Sequence, residues 1–282
     1  MTDEPVSHVS DTARWVAVYR ATESARPDAL FTDPYADRLA GERGRRIVAM
    51  APRAIRSGWW LVARTKTIDD ILADAIAAGC DRVLNLAAGL DTRPYRLDLP
   101  AELRWVEADL PALIAEKDQF LTGETPRCRL TRVGVDLSDP AARDGFLDEA
   151  LRGATKALVL TEGLLMYLEP SDVDDLSQAL SRTEVAWWTL DLAGPGLVKR
   201  MNQQTGGLLK NAPFKFAPAE GVRYFEERGW HTMEVESIFA VAARLRRLPW
   251  YLRLIARLPQ PDPRHPPPNR PWNAVVRLDR SN

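Results

Sequence analysis

The chain reads as a doubly wound α/β protein, with about seven strands in a mostly parallel sheet, an N-terminal helical cap and a helical insertion before the last strand. Three observations predict this. Short runs rich in Val, Leu and Trp recur from residue 82 onward, helix-length segments separate them, and residues 10–78 instead carry apolar side chains at three-and-four spacing. A strand repeats every two residues and a helix every 3.6, so the change of period marks a change of architecture. Alternating strands and helices imply crossover connections and parallel pairing.

The helical part shows its face in Trp15, Val18 and Tyr19, and again in Ile68, Ile71, Leu72 and Ile76, with Gly79 as its stop. Arg82–Leu86, Leu103–Glu107, Leu130–Val135, Ala157–Thr161 and Val185–Leu190 are the expected strands. Leu113–Leu121, Ala141–Leu151 and Ser171–Leu180 are the expected intervening helices, the last opened by Ser171 as N-cap with Asp174 at its third helical position. Residues 192–258 read as helical or irregular apart from a strand near Met233–Ser237, and Trp272–Leu278 closes the sheet. Between Pro259 and Pro271 seven of thirteen residues are proline, which forbids helix and sheet interior and predicts a stiff extended crossing. Arg244–Arg257 holds five arginines, no acid and several large apolar residues, and reads as an amphipathic helix over the site, interrupted at Pro249. Trp187 and Trp188 are expected in the core. The plan is one domain: helical cap 1–78, cofactor-binding core 79–191, substrate-side helices and proline-rich crossing 192–270, closing strand 271–282.

Composition narrows the function. With 282 residues, 45% hydrophobic and 27% charged, the chain can bury a core without staples. Its net charge of −1 gives no field to hold a polyanion, so nucleic acid is not expected as a partner. No apolar run approaches the ~18 residues of a membrane span, and the N-terminus lacks a basic region followed by an apolar one. A cytoplasmic protein without a membrane partner is expected. Cys80 and Cys128 flank strands without metal or redox spacing and read as buried thiols. Of 38 basic residues 32 are arginine, which suits a GC-rich genome.

Ligands of such sheets bind beyond the carboxyl ends of the strands. The first strand runs into the small-residue turn Asn85-Leu-Ala-Ala-Gly-Leu-Asp91, and Asp109, after the second strand, lies twenty residues beyond Gly89. An acid at that distance suits a ribose diol, because one carboxylate can accept from both hydroxyls. A dinucleotide needs G-x-G-x-x-G, but positions 87, 89 and 92 are Ala, Gly and Thr, and Asp91 would repel a pyrophosphate. No G-x-x-x-x-G-K-[ST] loop exists for a nucleoside triphosphate. S-adenosylmethionine has the adenosine and ribose, no phosphate, and a cationic end suited to the carboxylates Asp91, Asp109, Asp136 and Glu162.

Asn85–Arg96, Trp105-Val-Glu-Ala-Asp-Leu-Pro111, Glu162-Gly-Leu-Leu-Met-Tyr-Leu168, Asp33-Pro-Tyr35, Arg64-Thr65 and the closing Pro271-Trp272 resemble, in order and spacing, segments of the leucine carboxyl methyltransferase family. The resemblance covers nearly the whole chain. It implies a Rossmann-like class I fold and S-adenosylmethionine-dependent O-methylation, with a setting in secondary metabolism expected. It also implies that Gly89 lines the cofactor site, Asp109 takes the ribose, Asp136 and Leu137 flank the adenine, Glu162 faces the methionine moiety, and Arg64, with Arg20 as a second basic residue, meets the cofactor carboxylate. Ala87 stands where the family has glycine, a replacement that fits where φ is negative. Tyr167 corresponds to a substrate-side tyrosine that, with Arg64, would orient the acceptor.

A carboxylate acceptor, ionised above a pKa of about 4, needs no base, whereas a phenol near 10 gains from one. His8, His231 and His265 are isolated, and no metal-ligand spacing occurs. The expected reaction is therefore methylation of a small-molecule carboxylate. The alternatives are a phenol or alcohol O-methyltransferase and a non-catalytic S-adenosylmethionine-binding protein. Arg93 and Tyr95 read as braces of the turn. Neither the acceptor nor the oligomeric state is written in the sequence.

Overall fold

The computed structural model describes residues 10–52, 55–205, 212–266 and 270–280; the N-terminal segment with His8 and the Pro267-Pro268 pair of the crossing lie outside them. Three helices come first: α1 (Ser10–Ser24), α2 (Ala36–Met50) and α3 (Trp59–Ala77). Gly41, at φ 57°, kinks α2. Gly58 starts α3 at φ 57° with the Tyr19 ring where a Cβ would lie, so only glycine lets α1 pass there. Gly79, at φ 92°, follows the end of α3.

The rest alternates as expected: β1 (Arg82–Leu86), α4 (Arg93–Arg96), β2 (Arg104–Asp109), α5 (Pro111–Phe120), β3 (Arg129–Gly134), α6 (Pro140–Leu151), β4 (Ala157–Thr161), α7 (Pro170–Ala179) and β5 (Val185–Ala193). Then come α8 (Pro195–Thr205), α9 (Arg223–Glu226), β6 (Trp230–Ser237), α10 (Ile238–Arg244) and β7 (Asn273–Arg280). One seven-stranded sheet results, in the order β3-β2-β1-β4-β5-β7-β6. The first five strands pair in parallel, and β7 is antiparallel to both β5 and β6. The strand order reverses between β1 and β4, the position that opens a crevice at the carboxyl ends.

Helices cover both faces, which is why β1 and β4 are buried at every residue and read as unbroken apolar runs. Leu84, Leu86, Val106 and Trp188 pack on the α6–α7 side, and Val83, Trp105, Leu158 and Leu160 on the α3–α10 side. Each such leucine contributes roughly 1.5–3 kcal/mol by leaving water. Trp188 is fully buried, its indole donating to Thr161 Oγ1 at 2.9 Å, and Trp187 packs on the opposite face. Cys80 and Cys128 are buried free thiols, each pushed up to about 11 by burial.

Three local expectations change. Helix α7 starts at Pro170, since proline favours the first helical position, so Glu169 rather than Ser171 is the N-cap and pairs reciprocally with Asp172. Asp174 instead accepts from the Tyr224 hydroxyl and Arg228. Strand β2 runs to Asp109 because Asp109 pairs with Gly134, while Leu103 turns into the core. Arg244–Arg257 is not one helix over the site. Arg246, at φ 57°, and Pro249 break it into α10 and two 3-10 turns. Leu248 inserts on the α3 side, Trp250, Leu254 and Leu258 stay exposed, and Arg247 reaches back to Glu23 of α1 at 2.8 Å.

Among the described residues no helix is long and apolar enough to cross a membrane. The junction of β5 with β7 is close-packed: Gly194 N–H donates to the Trp272 carbonyl at 3.0 Å, and the Trp272 indole occupies the space a Gly194 side chain would need. Gly194→Ala is expected to cost about 1–3 kcal/mol by overpacking, read as a lower urea midpoint with an unchanged slope.

Candidate active site

The carboxyl ends of β1, β2, β4 and β5 border one cavity of about 550 Å3, and the turn after β3 closes its far side. Arg20, Arg64, Ala87, Gly89, Asp91, Asp109, Asp136, Leu137, Glu162 and Tyr167 all line it. Helices α1 and α3 bring in Arg20 and Arg64; the strand ends and their turns bring the others.

The turn after β1 is held by its own acid. Asp91 accepts from Asn85 Nδ2 at 2.8 Å and from the Arg93 backbone N–H at 2.9 Å, which turns the chain sharply into α4. Gly89 has φ 49° and Ala87 φ 54°. Ala87 does not keep the negative φ that would make alanine a harmless replacement for glycine, because the turn needs left-handed backbone at both positions. A Cβ there costs roughly 1–2 kcal/mol. Across the turn, Asp109 accepts from the Gly89 N–H at 2.7 Å and the Leu110 N–H at 2.8 Å, one bond per oxygen. Each oxygen keeps a lone pair. Burial raises the Asp109 carboxyl above its ordinary range despite these bonds.

The floor is a buried ion network. Glu162 accepts from Arg64 Nε at 2.9 Å and from Arg93 Nη1 at 2.7 Å. Arg93 also reaches Asp91 and Asp69, both at 2.7 Å, while Arg96 grips both oxygens of Asp69. Arg64 Nη1 donates to Asp191 at 2.8 Å, and the other Asp191 oxygen accepts from the Gly163 N–H at 2.6 Å. Four carboxylates thus face three guanidiniums, a surplus of one negative charge. Burial, the largest influence, pushes the Glu162 carboxyl up, but Arg93 and Arg64 overcome it and hold the group below its ordinary range. Asp91 is likewise held well below its range: burial is again the largest single influence, but Arg93, Lys117, Arg96 and Arg20 together overcome it.

Other candidates have partners the sequence did not disclose. Arg20 Nε donates to Asp33 at 2.8 Å and its Nη2 to the Leu90 carbonyl at 2.5 Å, so it braces the turn from α1. Asp136 is exposed and accepts from the Ser138 N–H and hydroxyl, as an aspartate in a turn does, beside half-buried Leu137. Burial pushes the Tyr167 hydroxyl up to about 12, against a hydrogen bond with Thr12 and the nearby Arg64 charge. Its ring meets Phe214 at 5.3 Å. His231, beside Asp279, and His265, beside Asp262, are exposed and do not line the cavity. Among the described residues no cluster could hold a metal ion.

Asp191, Asp69 and the apolar wall of Trp60, Met201 and Phe214 were not singled out from sequence. Asp191 falls one residue past the expected end of β5, and only its pairing with Val275 of β7 shows that the strand continues.

The leucine carboxyl methyltransferase model matches residues 13–181, from α1 through α7. The chain belongs to the leucine carboxyl methyltransferase family. A relative from Parafrankia sp. (strain EAN1pec) is 33% identical over 85% of this chain and 82% of its own length, and one from Mycobacteroides abscessus is 35% identical over 71% and 72%. Both are named as inferred S-adenosyl-L-methionine-dependent methyltransferases. Among solved structures, a duf574 family protein from Streptomyces avermitilis superposes with a TM-score of 0.56 at 18% identity, covering 98% of both chains. An inferred methyltransferase from Thermobifida fusca reaches 0.58 at 16% identity, over 92% of this chain and 96% of its own. These two share the fold. Asp191 and α8 of this family member lie beyond the matched segment.

Two outcomes follow from the geometry. Ala87→Gly should raise stability by about 1 kcal/mol, seen as a higher urea midpoint, because glycine releases the left-handed strain. Glu162 and Asp91 have carboxyls below their unfolded values, so their stabilisation is complete above the unfolded value near about 4 and is lost as pH falls through the folded values. Asp109, raised by burial, acts in the opposite sense as a single group. Urea midpoints measured from pH 6 downward should therefore hold until about pH 4 and then drop.

Proposed function

We propose that this protein methylates the carboxylate of a small molecule, with S-adenosylmethionine as methyl donor. Methyl transfer from that donor is the coarser reading, and it goes with membership of the family. The donor set fits the group: Asp109 is half-buried with a free lone pair on each oxygen, and the floor carries surplus negative charge for a cationic sulfonium and ammonium. When bound, the cofactor supplies a sulfonium methyl; as the acceptor oxygen bonds to it the carbon–sulfur bond breaks, its electron pair stays on sulfur, and S-adenosylhomocysteine remains.

In this reading Asp109 takes the ribose hydroxyls, Ala87 and Gly89 let the ligand approach the backbone, and Asp136 and Leu137 flank the adenine. Glu162 and Asp91 face the cationic end. Remaining N–H groups of Arg64 and Arg20 meet the cofactor carboxylate, and Arg64 also helps direct the acceptor. Tyr167 stays un-ionised and donates its hydroxyl hydrogen to the acceptor oxygen, holding it in line while the walls exclude water.

One observation carries the carboxylate: three groups of this cavity lie away from neutrality, Tyr167 near 12 and Glu162 and Asp91 held below their ordinary range by neighbouring cations. A group titrating near pH 7 suits proton removal, and these do not. An acceptor already ionised needs none.

Asp109→Ala is expected to weaken S-adenosylhomocysteine binding at least tenfold in calorimetric titration, the scale of losing hydrogen bonds to a charged group. With a carboxylic acid turned over, kcat/KM should be flat between about pH 6 and 9, since neither the acid nor Tyr167 titrates there. A rate rising tenfold per pH unit would point to a phenol. Tyr167→Phe should lower kcat by roughly ten- to a hundredfold with little change in cofactor affinity.

A further inference from the structure

The cavity has two chemically different ends. Toward β1, β2 and β3 it is polar, with Asn85, Asp91, Asp109 and Asp136 on its wall. Toward β5 it is bounded by Trp15 of α1, Trp60 of α3, Met166, Leu197 and Met201 of α8, and Phe214. These six also belong to, or pack on, one apolar cluster, yet Trp60, Met166, Leu197 and Met201 are only half-buried and turn apolar surface to the open space. Leu197 and Met201 lie four residues apart, on one face of α8. The neighbouring polar groups are Tyr167 and its partner Thr12, with Arg64 behind them.

This wall is built rather than incidental. Asn202 donates to the Phe214 carbonyl at 2.9 Å and accepts from the Phe214 N–H at 3.1 Å, fixing the ring against Tyr167. The Lys215 N–H donates to the Met166 carbonyl at 2.7 Å, tying the same strip to the turn that carries Tyr167. Apolar area left facing a rigid cavity gains when an apolar ligand covers it. A second charged group on the ligand would be stranded there unpaired.

We propose that the acceptor is a monocarboxylic acid with an apolar body, alkyl or aryl. Its carboxylate meets Tyr167, and its body lies between Trp60, Leu197, Met201 and Phe214. Leu197 and Met201 set the specificity. This rests on the carboxylate reading above, and it excludes dicarboxylates and the polar backbone of a peptide C-terminus.

The test is calorimetric titration of the protein loaded with S-adenosylhomocysteine, using butanoate, hexanoate, octanoate and 4-phenylbutyrate, with succinate and Gly-Gly-Leu as polar acids. Each methylene should tighten binding by up to about fourfold, so octanoate binds at least tenfold tighter than butanoate and the polar acids bind weakest. Leu197→Asp should weaken octanoate at least tenfold, and the near-isosteric Met201→Gln several-fold, with S-adenosylhomocysteine affinity unchanged in both, which also reports that the variants are folded. A flat chain-length series, no binding of any acid, or succinate or the tripeptide binding as tightly as octanoate overturns the proposal while leaving methyl transfer standing. Failure of S-adenosylhomocysteine to bind the wild type overturns both.

Discussion

Arg64 is held by two carboxylates from different strands, Glu162 beyond β4 and Asp191 in β5, and Glu162 is held in turn by Arg93 from the turn after β1. Charges this deep are stable only when each has an opposite charge beside it, and removing one partner of a buried pair typically costs about 3–5 kcal/mol. Each salt bridge therefore works as a distance restraint between elements far apart in the chain. Helix α3, the β1 turn and the ends of β4 and β5 can reach their positions only together. The cavity is the space this network leaves open, and Asp69, gripped by Arg93 and Arg96, carries the restraint back into α3.

The same network makes Glu162 and Asp91 weak bases. A carboxylate that accepts from two guanidiniums gives up its basicity for position, which suits a reaction whose main demand is alignment. Tyr167 complements it from the other direction: half-buried, with its hydroxyl pushed up to about 12, it stays a hydrogen donor at any working pH. Polarity is thus fixed in advance, in the Tyr167 hydroxyl and in the negative surplus of the floor.

What the sequence disclosed follows from how local each signal is. The core strands were legible because both faces are covered, so β1 and β4 show as unbroken apolar runs. Asp109 was legible because the length of a strand–helix–strand unit fixes its distance from Gly89. Arg64 is different: within α3 it is one basic residue on a helix, and only the family resemblance set it apart. Asp191 was hidden because the end of β5 is decided by pairing with β7, a partner remote in sequence. The strained φ of Ala87 was equally hidden, since alanine ordinarily avoids that conformation. The Arg244–Arg257 stretch misled because its apolar spacing looks helical: the interruption at Pro249 was legible, but the left-handed turn at Arg246 leaves no trace in the spacing.

Strand β7 lies between β5 and β6, which do not pair with each other. As the chain emerges from the ribosome, the edge of β5, with Asp191 on it, must wait unpaired through the whole of α8, β6, α10 and the proline-rich crossing. An open edge of apolar strand is a template for intermolecular pairing. The edge of β5 therefore stays open until Asn273–Arg280 has emerged, and the ion network around Arg64, whose residues all precede that strand, is what can hold β5 in place until its partner arrives.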